Sequence, residues 1–100
     1  MQVMTVVEGR IPKPKMHEFE SQYVSVRDLP KPRGMVSSTL LRDPSEEGLY
    51  QISTLWQNRK LLDEMRKANI TPVAVALFKS HGVEPSVRVF DVLMTIKALY

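Results

Sequence analysis

One hundred residues, 43 % hydrophobic and 25 % charged, describe a single globular domain with a thin core and exclude a disordered chain. No apolar run approaches the ~18 residues of a transmembrane helix, so no membrane partner is expected. With no cysteine and a formal charge of +3 from scattered Lys and Arg, the chain excludes a disulfide framework, thiol catalysis and a cysteine-ligated metal.

The opening residues MQVMTVVEGR lack the basic start and long apolar centre of a secretory signal, and the cytoplasm is the expected compartment. Residues 2–8, QVMTVVE, read as a Val-rich strand ended by Gly9. Pro12 and Pro14 then suit the first turn of a helix, where a missing N–H costs nothing. Met16, Phe19, Tyr23 and Val26 follow at helical spacing, and LPKPRG stops the run because residues before proline resist helical geometry. The PKPK and LPKPRG segments at its two ends read as a solvated basic rim.

Residues 35–42 and 49–56 read as two strands around the turn-forming DPSEEG, an antiparallel hairpin with a longer loop. Asn58 is placed to cap the next helix, whose stripe is Leu61, Leu62, Met65 and Ala68. Thr71 and Pro72 start a third helix as N-cap and first residue, and Gly82 ends it. A last strand is expected over residues 87–96.

This order predicts an α+β, ferredoxin-like split βαβ sandwich, with a four-stranded antiparallel sheet and its helices on one face. The first and last strands carry apolar residues on both faces, where a half-covered sheet should alternate. Burial of both faces calls for a second copy packed sheet to sheet, so a homodimer is expected.

At this point the residues resemble a known pattern. Pro32-Arg33-Gly34 leads into MVSSTLLRDP, and LYQISTLWQNRKLLDEM is a strand ending in Trp56, then a polar pair and an amphipathic helix. Together with Phe78, these features resemble the antibiotic biosynthesis monooxygenase (ABM) domain family across nearly the whole chain. The resemblance implies a dimeric α/β barrel with a pocket between each sheet and its helices. It further implies oxidation of a polycyclic aromatic or quinol by molecular oxygen without metal or flavin, hence no cofactor. A related branch degrades haem, and other members have no established activity.

Candidate pocket residues are Trp56, Ile52, Leu62, Met65, Phe78, His81 and Ser37; no catalytic residue is assigned and no metal site is expected. Trp56 shares a strand face with Tyr50, Ile52 and Thr54, and serves either as a pocket wall or as a packing anchor. Some catalytic members place an Asn four residues before this Trp and a Tyr six after it; Ile52 and Leu62 stand there. The haem-degrading branch needs an Asn on the first strand and a helical His, neither of which this chain has in place. His81 at a helix end reads as a cap favoured by the helix dipole, and His17 as a solvent-facing neighbour. Asp91 between Phe90 and Val92 needs a cationic partner, whether across a dimer interface or as a general base.

Two further readings stay open. A non-catalytic homodimer binding a small hydrophobic ligand is supported by the apolar lining, with Ile52, Leu62, Met65 and Phe78 where an enzyme would need a polar constellation. An RNA-binding sheet would need a Lys/Arg-Gly-aromatic consensus that Tyr50 and Trp56 do not supply, so no nucleic-acid partner is expected.

Overall fold

The computed structural model describes residues 1–99; Tyr100, the last residue of the expected domain, lies outside them. Strand β1 runs Val3–Arg10, and a 3-10 turn at Lys13–Lys15 leads into helix α1, Met16–Val26. Strands β2 (Met35–Arg42) and β3 (Leu49–Trp56) follow, then helices α2 (Arg59–Lys67) and α3 (Val73–Ser80) and strand β4 (Ser86–Asp91). The sheet is antiparallel in the order β2-β3-β1-β4, the expected α+β ferredoxin-like arrangement. Among the described residues no helix is long and apolar enough to cross a membrane.

Four boundaries differ from expectation. Gly9 does not end β1 but lies within it, opposite Tyr50, where a Cβ would stand 2.7 Å from a ring carbon of Phe78. The gap that glycine leaves lets α3 settle onto the sheet. The prolines build a 3-10 turn before α1 rather than its first α-helical turn. Pro72 takes the N-cap position expected of Thr71, and no side chain caps the start of α3. Finally, β4 stops at Asp91 instead of 96. Asp91 is already opposite Val3, the first residue of β1, and the Val92 N–H makes a last bond to the Gln2 carbonyl at 3.0 Å before β1 runs out. Leu93, Met94 and Ile96 therefore extend into solvent without regular structure.

The register decides which side chains meet the helices. On β1 and β3, Val3, Thr5, Val7 and Tyr50, Ile52, Thr54, Trp56 are all buried on the helical face. Their apolar members fall into two clusters. Val7, Ile11, Phe19, Tyr50, Ile52 and Phe78 form one, with the Phe19 ring 5.0 Å from Tyr50 and 4.9 Å from Phe78. Val3, Trp56 and Leu62 form the other. Thr5 and Thr54, paired across the two central strands, lie between them.

Candidate functional site

A cavity of about 500 Å³ opens between the sheet and the helices, within the usual range for small-molecule sites. Its floor is the helical face of the sheet, with Thr5, Ser38, Thr54 and Trp56. Its walls are Leu62 and Met65 of α2, Tyr23 and Val26 of α1, and Ala74 and Leu77 of α3. Lys31, Arg33, Glu64 and Arg66 stand at its rim, all exposed.

Each wall has a local cause. Asn58 caps α2, its side chain accepting the N–H of Leu61 at 3.0 Å, and so fixes where the helix departs from Trp56. Gly34, at φ +90°, closes the approach to β2; a Cβ there would lie 2.7 Å from Leu61 Cδ1. Its carbonyl accepts the Gln57 N–H at 2.7 Å, which ties the start of β2 to the end of β3.

Four sequence candidates, Trp56, Ile52, Leu62 and Met65, come together in the cavity lining. Three do not. Phe78 is fully buried in the neighbouring aromatic cluster. His81 caps α3, and its Nε2 is 2.7 Å from Gln22 Oε1 with the ring edge-on to Phe19. Ser37 lies on the opposite sheet face, because a bulge between Met35 and Ser37 inserts Val36 and reverses the alternation. The bulge passes its expected place to Ser38, opposite Thr54. Asp91 pairs with Arg59 at 3.1 Å within the same chain, both half-exposed.

The floor is more polar than the candidate residues alone imply. Trp56 Nε1 donates to Thr5 Oγ1 at 3.0 Å. Thr54 Oγ1 donates to Ser38 Oγ at 3.4 Å, and Ser38 Oγ lies 2.8 Å from Tyr23 Oη. A band of hydroxyls thus crosses β1, β3 and β2 to α1 beneath an otherwise apolar chamber. Sequence reasoning placed Tyr23 on a core stripe and left Thr5 and Thr54 without a role. The available signal was two threonines interrupting the apolar alternation of central strands, where valine would complete a core.

Both histidines lie outside the chamber's lining, and Val3, Thr5 and Val7 are what β1 presents to the helical face. Among the described residues no three His, Asp or Glu side chains gather as a metal site.

The chain has the fold of the ABM-type proteins, shared with SnoaB, a cofactor-independent oxygenase from Streptomyces nogalater (TM-score 0.66, 20 % identity, 97 % of this chain and 98 % of that one). It is similar to the heme-degrader MhuD from Mycobacterium tuberculosis (TM-score 0.70, 18 % identity, 95 % and 99 % covered). It is also similar to a Deinococcus radiodurans protein provisionally named an antibiotic biosynthesis monooxygenase (TM-score 0.72, 14 % identity, 98 % and 99 % covered). No family model matches the sequence, and no curated protein sequence matches it significantly.

Proposed function

We propose that the protein is a cofactor-independent monooxygenase of an aromatic or quinol-type small molecule, acting as a homodimer in the cytoplasm. The observation that carries this reading is the apolar chamber of about 500 Å³, whose floor holds the single tryptophan and a band of hydroxyls. Its size suits two or three fused rings, and Trp56, largely packed against Val3 and Leu62, borders the space as part of its lining. The likeness in fold to SnoaB supports the reaction class.

In such a reaction the substrate itself supplies the electrons to oxygen. A ring CH₂ becomes a carbonyl, one oxygen atom entering the substrate and the other leaving as water with the two displaced hydrogens. The protein's part is to exclude water and to hold the reacting ring and its oxygen substituents in place.

A second reading, a homodimer that binds a small hydrophobic ligand without turnover, has its own support. Among the described residues the only carboxylate in the lining is the exposed Glu64 at the rim, and the floor has hydroxyls where a general base would stand.

Oxygen uptake with anthrone and a small set of hydroquinones, run beside Trp56→Phe, separates the two. An oxygenase consumes oxygen above the buffer control, and the substitution lowers the rate about tenfold or more through lost positioning. A binder consumes none, yet the same compounds quench Trp56 fluorescence saturably. Neither uptake nor quenching overturns both.

A further inference from the structure

Thr5 is 7 % exposed and Trp56 4 %, yet both border the cavity. An indole N–H can only donate, so the contact between Trp56 Nε1 and Thr5 Oγ1 uses Thr5 as acceptor. The Thr5 O–H hydrogen is left over, and it finds no acceptor among the described residues. Burying a hydroxyl whose hydrogen has no acceptor is costly beside a simple valine, which would fill the same strand position. The neighbouring chain points the same way. Tyr23, Ser38 and Thr54 bring three hydroxyl hydrogens to two internal hydrogen bonds, leaving one more donor unspent. The floor therefore holds hydroxyl hydrogens that its internal hydrogen bonds do not use. Among the described residues no carboxylate shares it, and the rim adds Lys31, Arg33 and Arg66 beside Glu64.

We infer that Thr5 is a specificity-determining donor, which hydrogen-bonds a carbonyl or phenolate oxygen of a flat apolar ligand lying against Trp56. This rests on the reading of the cavity as a ligand site and narrows the ligand to one that brings an acceptor oxygen. A pure hydrocarbon leaves the donor unmet, and an oxygen acceptor completes it. Trp56 and Thr5 form one device: the indole N–H occupies one lone pair of the hydroxyl, keeps its hydrogen from turning toward Nε1 and leaves that hydrogen for the ligand.

The test uses tetralin and α-tetralone, which share a skeleton and differ by one carbonyl. Affinities for both are read from Trp56 fluorescence in the wild type, Thr5→Val and Thr5→Ser. In a chamber without a free donor the ketone binds worse than the hydrocarbon, since it leaves its hydrogen bonds to water behind. The expected result is a ketone-to-hydrocarbon affinity ratio that falls about three- to tenfold in Thr5→Val and is restored in Thr5→Ser. In Thr5→Val a valine methyl occupies the hydroxyl's position, so the indole N–H stays covered and is not passed to the ligand. Independently of any variant, the infrared carbonyl stretch of the ketone bound to wild type should lie below its frequency in cyclohexane.

A ratio unchanged by Thr5→Val, or a carbonyl stretch at the cyclohexane value, overturns the role of Thr5 while leaving the cavity a binding site. Failure of both compounds to bind overturns the cavity reading and this proposal with it.

Discussion

Tyr50 is a phenol buried in the aromatic cluster, with its hydroxyl donated to the carboxylate of Glu20. Burial, followed by that hydrogen bond and the carboxylate's charge, pushes its pKa up to about 12 from an ordinary 10.0; the Arg42 guanidinium, 3.7 Å from Glu20, opposes the shift. A raised folded pKa means that the native state holds the proton more tightly than the unfolded chain. The contribution is complete below pH about 10 and is lost as pH rises toward 12, roughly 2–3 kcal/mol in all. Urea midpoints between pH 9 and 12 should therefore fall more steeply in wild type than in Tyr50→Phe. Equal slopes would show that the phenol titrates alike in both states. Tyr50 also marks the limit of reading single residues: its strand face was legible from alternation, but its carboxylate partner comes from α1, thirty positions away.

At the scale of elements, α2 is the movable wall of the chamber. Only Leu62 of its stripe is buried; Leu61 and Met65 are half-buried, and Ala68 is exposed. A nine-residue helix with so little buried surface depends on its cap more than α1 does on its own start. Asn58→Ala should cost about 1 kcal/mol in urea unfolding and loosen ligand binding, whereas Asn58→Asp, which keeps the accepting oxygen, should do neither. Unchanged stability in Asn58→Ala would show that packing alone holds the helix.

This helix, both hairpin strands and the order of the elements were legible because period and turn chemistry are local properties. The errors share a different origin. Gly9 reads as a strand end until Phe78 is seen above it, and the extent of β4 depends on where β1 begins. Ser37 and Ser38 exchanged faces through a bulge that no run of residues announces. The cavity's apolar lining was legible as four side chains, Trp56, Ile52, Leu62 and Met65, on one strand face and one helix stripe. Its hydroxyl band was not, since Tyr23, Ser38, Thr54 and Thr5 meet only once three strands and a helix are assembled.

The whole molecule leaves one side of its sheet uncovered. By register, Met4 and Val6 of β1, Leu55 of β3, Leu41 of β2 and Phe90 of β4 point away from the helices. Arg88 lies 4.8 Å above the Phe90 ring and shields only that corner. Leu93, Met94 and Ile96 add exposed apolar surface just beyond the end of β4. A second copy laid sheet to sheet would cover this face without competing for the cavity, which opens on the other side. Val6 sits on a central strand near the middle of the uncovered face, so a charge there would have to be buried unpaired at such an interface. Light scattering after size exclusion should give the mass of two 11.5 kDa chains for wild type and of one for Val6→Lys. Because Val6 faces away from Thr5, Trp56 and the helices, the variant should keep the helical circular dichroism and ligand quenching of Trp56. A wild type that elutes as a monomer at micromolar concentration would end the dimer reading, and the apolar face would need another cover. Loss of quenching in a folded, monomeric Val6→Lys would instead mean that the partner copy shapes the chamber through the sheet.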